Sequence, residues 1–358
     1  MKPIKYILLL LLFIRSITVL AQTSCDSMEV CDCVWRDLSP AGIMFGHEHA
    51  KGNWKISYTY MSMMMKDKLS GNIKVDDNYV YNNYIMSPQS MQMDMHMIMA
   101  MYGITDRLSV MAMFNYNINT MSMSALPGST MQMDGMTMVM TPTNSSNMTS
   151  KTSGLGDTKL YAAYALVNHN AHHIFLSAGI NIPTGSTMLK GKSDDMMYPN
   201  SRFPYMMQLG SGSMDVMPDI TYLYKQEKFS ASAQVCSVVH PFNNSLGYHF
   251  GNEVSANVWA AYKWLNWIST SLRAEERATG MMSGKDAALI ENNEPAAYYK
   301  NYGGQTTSAF AGLNFYFNKT WFRHTKLTFE YGMPVYQNVN GIQLAQKSTL
   351  YVSWLVSF

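Results

Sequence analysis

Met91 to Met101 reads MQMDMHMIMAM, with methionine at every odd position and Gln92, Asp94, His96, Ile98 and Ala100 between. Thioether sulfur is a soft, neutral ligand, so several on one surface select copper(I) or silver(I) over hard cations. A period of two belongs to an extended strand, whereas a helix repeats its apolar face about every 3.6 residues. All six sulfurs therefore share one face. Met61 and Met63 in one neighbouring stretch and Met111 and Met113 in another alternate in the same way. The candidate soft-ion set is Met61, Met63, Met95, Met97, Met99, Met101, Met111 and Met113, joined by His96. His47 and His49 flank Glu48 near Met44 and add a two-imidazole clamp. Met131-Gln-Met-Asp134 echoes Met91-Gln-Met-Asp94 and continues with Met136, Met138 and Met140, which offers an entry site on a loop. The plainer reading is that methionine is flexible apolar filling. That accounts for any one of them but not for the sustained alternation.

The elements that must carry this face follow from the rest of the chain. Lys2 and Lys5 precede the apolar run Ile7 to Ile14, and Val19 and Ala21 stand where a signal peptidase cuts. Residues 1–21 therefore read as a secretory signal peptide. Residues 22–49 form an N-terminal segment with Cys25, Cys31 and Cys33. In an oxidising compartment, one disulfide with a spare thiol and a metal-loading tail are both open. Beyond residue 21 there is no apolar run of about 18 residues, which excludes an ordinary helical span. Charged residues are only 14% and aromatics 12%, while a net charge of +2 gives no footprint for nucleic acid. Export, low charge and abundant Tyr and Trp fit a transmembrane β-barrel with aromatic girdles at both interfaces. The rival is a secreted β-sandwich.

The last residues weigh against the rival. In Lys347 to Phe358, Leu350, Val352, Trp354, Val356 and Phe358 share one face, and Thr349, Tyr351, Ser353 and Ser357 the other. A strand ending in Phe at the last position resembles the closing strand of bacterial outer-membrane barrels. It sets even residues toward lipid and odd residues toward the lumen. The same two-face test finds about twelve strands between residues 50 and 358, joined by turns that alternate between short and long. The expected fold is all-β: a closed antiparallel transmembrane barrel with short periplasmic turns and long outer loops, in the outer membrane of a Gram-negative bacterium. If the strand Met91 to Tyr102 descends to the turn near Asp106, then Ile98, Ala100 and Tyr102 meet lipid and the methionines line the lumen. The opposite register, with Gln92, Asp94 and His96 inside, stays open.

Gly154-Leu-Gly-Asp157, Asn181-Ile-Pro-Thr-Gly185 and Gln208-Leu-Gly-Ser-Gly-Ser-Met-Asp215 resemble the outer-membrane transporters grouped with the meta-pathway of phenol degradation. Gly42-Ile-Met-Phe-Gly-His47, Gly52-Asn-Trp54 and Tyr58-Thr-Tyr-Met-Ser-Met63 resemble its Met-rich branch. The outer-membrane copper-resistance B proteins are a weaker resemblance. The family implies a barrel with a transport role and no defined substrate. Asp157, Lys159, Asp215, Asp219, Glu253, Lys263, Arg273, Glu275, Arg277, Lys326, Glu330 and Cys236 alternate onto the lumenal face, where charges ordinarily satisfy one another. No nucleophile elbow, phosphate loop or His-Glu-x-x-His motif is present. The sequence therefore points away from an enzyme, and it marks no certain cofactor, with copper(I) or silver(I) as the candidate. The expected partners are outer-membrane lipid and a transported species. That species is copper or silver passing along the Met face, or alternatively a small apolar or aromatic solute diffusing past an adaptable lining.

Overall fold

The structure is a computed structural model that describes residues 37–44, 51–133, 136–139, 148–193, 195, 197–317 and 324–358, with 130–133 and 136–139 described by their backbone. The signal peptide, Cys25, Cys31, Cys33, His47 and His49 lie outside the described residues.

The strands of the barrel are β1 (Trp54–Gly71), β2 (Met86–Gly103), β3 (Leu108–Ala125), β4 (Thr158–His169), β5 (His172–Ile182), β6 (Asp215–Lys225), β7 (Phe229–Val238), β8 (Glu253–Leu265), β9 (Ile268–Thr279) and β10 (Gly304–Phe317). The last element, Thr325–Ser357, is continuous over 33 residues. It pairs with β10 from Phe317↔Thr325 to Gly304↔Val339, and with β1 from Gly71↔Val339 to Lys55↔Ser357. Both its ends therefore lie at the same rim, and it reverses near Gly341, where φ is +59°. Only glycine suits that turn well, because a Cβ there would also meet Asn301 Oδ1 at 2.0 Å. We treat its two limbs as β11 (325–339) and β12 (342–357). Eleven continuous elements close the sheet, the strand pairings among the described residues are antiparallel, and two short strands, Ile73–Val75 and Met148–Leu155, lie outside the ring. A closed ring of antiparallel neighbours needs an even number of crossings, and the folded last element supplies the twelfth.

Closure removes both sheet edges, which lipid would leave without hydrogen bonds. Alternation then decides what each wall shows. Lys55, Ser57 and Thr59 are buried while Trp54 is exposed; Tyr161, Ala163 and Ala165 are buried while Leu160, Tyr164 and Leu166 are exposed. The exposed set is apolar and meets lipid. β1, β2 and β3 have 18 residues each, more than the roughly 9–11 a membrane strand needs, so their far ends rise above the bilayer. The sequence reads 123–153 as one long loop. Met148–Leu155 instead returns as a strand on β3.

Residues 37–44 enter the periplasmic half of the lumen. Their backbone groups find partners on the wall: Tyr316 Oη donates to the Asp37 carbonyl at 2.9 Å, Asn314 Nδ2 to Leu38 at 3.3 Å, Lys326 Nζ to Ser39 at 2.7 Å, and Gln234 Nε2 to Met44 at 3.0 Å. Leu38 packs among Phe175, Leu223, Trp259 and Tyr316. An irregular segment survives inside a barrel only when its peptide groups are satisfied in this way.

Candidate functional site

The methionine strand faces the lumen. Odd residues of β1 and β2 pair directly, as in Met61↔Met95, Thr59↔Met97, Ser57↔Met99 and Lys55↔Met101, and the β1 partners among these are inward. β3 continues the rows with Met99↔Met113 and Met101↔Met111. The eight methionines singled out from the sequence thus share one three-strand surface, as the lumenal register requires. His96 is the exception, and it is a correction. As an even residue it lies on the opposite face, with its Nδ1 2.7 Å from the Tyr58 hydroxyl and its ring 5.3 Å from that of Tyr60. Beside it, Tyr60 Oη donates to Asp94 at 2.8 Å. A strand cannot turn neighbours to one side, so His96 does not join the sulfurs of Met95 and Met97. The backbone of the loop hairpin Thr130–Met133 with Met136–Val139 is formed.

The pavement is longer than the sequence reading claimed. Met65, Met91, Met121, Met123, Met148, Met197 and Met207 form a buried cluster at its outer end, with Tyr198 and Phe203 from the loop after β5. At the periplasmic end, Met101 and Met111 pack with Tyr161 and Met217, against Met99 and Met44. Between these two clusters Met61, Met95 and Met97 are only part-buried. The middle of the lumen is therefore open on its thioether side. The extra outer methionines obey the same alternation, and the period of two could have assigned them; the inward-folded loop that covers them leaves no such signal.

The opposite wall is charged. Arg273 is buried and donates to Glu330 (2.8 Å), Glu275 (2.6 Å) and Asn257 (2.9 Å), with its guanidinium 3.6 Å from the Phe310 ring centroid. Arg277 holds the other oxygen of Glu275 at 2.6 Å and stays 43% exposed. Gly42 of the inserted segment donates its N–H to Glu330 at 2.7 Å. Arg273, Arg277, Glu275 and Glu330 thus satisfy one another, as the sequence led us to expect of lumenal charges. Cys236 also sits here, its thiol donating to Asp219 at 3.2 Å. Among the described residues, no group of three or more His, Cys, Asp or Glu could hold a metal ion.

The three motifs that carry the transporter resemblance meet at one place. Asp157 accepts from the Gly185 N–H (2.9 Å), the Ser211 N–H (2.8 Å) and Asn181 Nδ2 (3.0 Å). Asn181 also donates to Asp215 at 2.7 Å, whose other oxygen lies 2.7 Å from His240 Nδ1. This lock ties the loop between β5 and β6 down into the barrel mouth. His240 escaped the sequence reading because it belongs to no motif.

Farther out in the same mouth, beside the outer end of β2, Glu294 is 1% exposed and accepts from Tyr198 Oη at 2.5 Å. Burial raises its carboxyl from 4.5 to about 7, against the lowering effect of the Tyr198 hydrogen bond. The folded loop keeps this proton where an unfolded loop would lose it. The group's stabilisation is therefore complete below the ordinary carboxylate range, declines as pH rises and is gone above about 7, a loss on the order of 3 kcal/mol. Protease cleavage of the outer loops should be faster at pH 8 than at pH 5, and Glu294→Gln should erase the difference. An unchanged pH dependence in that variant would refute the assignment.

No known family and no curated protein matches the chain by sequence. Solved structures do match in fold. The COG4313 outer membrane channel from Pseudomonas putida F1 has a TM-score of 0.57 at 16% identity, covering 88% of this chain and 100% of that one. The transport unit of the autotransporter AIDA-I from Escherichia coli scores 0.47 at 8% identity over 91% and 96%. A FadL homologue from Pseudomonas aeruginosa scores 0.43 at 9% identity over 91% and 97%. The chain has the fold of Gram-negative outer-membrane barrels.

Proposed function

We propose that this barrel is an outer-membrane channel for small apolar or aromatic solutes. The observation that carries the reading is the open middle of the lumen, where Met61, Met95 and Met97 present flexible apolar side chains opposite a charge-satisfied wall. Such a lining adapts to flat, weakly polar molecules without a fixed binding geometry. The P. putida protein of similar fold is described as a channel, and the motif resemblance points to transporters of the phenol pathway. A second reading, passage of copper(I) or silver(I), is favoured by one observation, the three-strand thioether surface itself. Leucine preserves the volume of methionine at small cost but is no ligand. The test is uptake of a radiolabelled monoaromatic by cells with an intact outer membrane, with and without the barrel. A variant with Met95, Met97, Met99, Met101, Met111 and Met113 changed to leucine should keep the uptake. Loss of silver sensitivity in that variant, with no barrel-dependent aromatic uptake, would replace the first reading with the second.

A further inference from the structure

The inserted segment and the methionine wall enclose a cavity of about 40 Å³. Four thioethers line it: Met44 from the segment, Met99 and Met101 from β2, and Met111 from β3. The same four residues pack together at the periplasmic end of the pavement. A cavity needs only about 10–15 Å³ to hold one water-sized particle, so there is room for a single ion. We propose that this cavity is a soft-ion site, taking one copper(I) or silver(I) between the plug segment and the barrel wall.

The chemistry of the lining sets the class of ion. Methionine sulfur is neutral and polarisable, and it binds soft monovalent ions in preference to hard ones. Asp37 and Lys326 close the other end of the cavity; Lys326 Nζ donates to the Ser39 carbonyl at 2.7 Å and lies 3.3 Å from Asp37, so its charge is balanced where it stands. The ion therefore meets sulfur on one side and a neutralised pair on the other. Because the ligands come from two parts of the chain, an ion bound there also holds the segment in its seat, by mass action on the plugged state. None of this depends on what the barrel passes.

Silver(I) is the probe, since it is soft and does not change oxidation state in the titration. The full-length mature barrel, refolded in detergent in chloride-free buffer with ¹³C-methyl methionine, is titrated with silver nitrate. Resonances are assigned from single Met→Leu variants that retain the fast mobility of an unheated barrel. We expect the first equivalent of silver to move the methyl signals of Met44, Met99, Met101 and Met111 before any others, and Met44→Leu to abolish that first step. A first equivalent that moves Met65, Met91, Met121 and Met123 instead, or a Met44→Leu titration indistinguishable from wild type, overturns the site. The titration contains no solute, so its failure leaves the channel reading untouched.

Discussion

Replacing Arg273 with methionine should destabilise the barrel by about 3–5 kcal/mol, the usual cost of removing one partner from a buried ionic group. Arg273 is 1% exposed in its side chain and is bound to two carboxylates, Glu330 and Glu275. Without it Glu330 keeps, among the described residues, the Gly42 N–H as its close donor, and Glu275 keeps Arg277. The charge left on Glu330 is the expensive one. The double variant Arg273→Met/Glu330→Gln should therefore recover much of the loss, because it removes the stranded charge along with its partner. The measurement is the urea midpoint at which an unheated sample loses its fast mobility on a gel. Equal midpoints for wild type and Arg273→Met would show that the ionic cluster carries no stability.

The second large effect concerns the segment seated on that cluster. Gly42 lies so close to it that a Cβ would stand 2.5 Å from Arg273 Nη2 and 3.1 Å from Glu330 Oε2. Gly42→Leu cannot be seated without displacing a locked guanidinium, and overpacking of this kind costs about 1–3 kcal/mol. That is a shift of about fivefold to somewhat over a hundredfold toward the unplugged state. Channel conductance in a planar bilayer should rise, and Cys236, near where Gln234 holds Met44, should react faster with a small maleimide once the other three cysteines have been changed to serine. Unchanged conductance and labelling would mean that residues 37–44 do not govern access through the barrel.

The wall of the barrel was legible in the sequence and its contents were not. Each crossing keeps a period of two, and every one of the twelve predicted strands is present, because lipid punishes any lapse in alternation. The final strand calibrated the faces correctly, with Thr349, Leu355 and Ser357 buried. The same rule, applied strictly, would have removed His96 from the methionine set. Residues 37–44 carry no period at all: Asp37-Leu-Ser-Pro-Ala-Gly-Ile-Met44 is held by partners from residue 234 to residue 330, and no local pattern encodes contacts of that separation. Asp157, Asn181, Ser211 and Asp215 stood out as motif members, yet only the fold shows that they meet.

The seated segment also bears on how the barrel is made. It is joined to the first strand, but its anchors are on β7, β9, β10 and β11, which are made later. The first and last strands meet only when Lys55 finds Ser357. A segment fixed to one side of that seam and docked across the strands leading to the other shortens the search for closure. Its own sequence thereby becomes part of the assembly instructions, so a change at Gly42 should also slow the appearance of folded barrel during insertion.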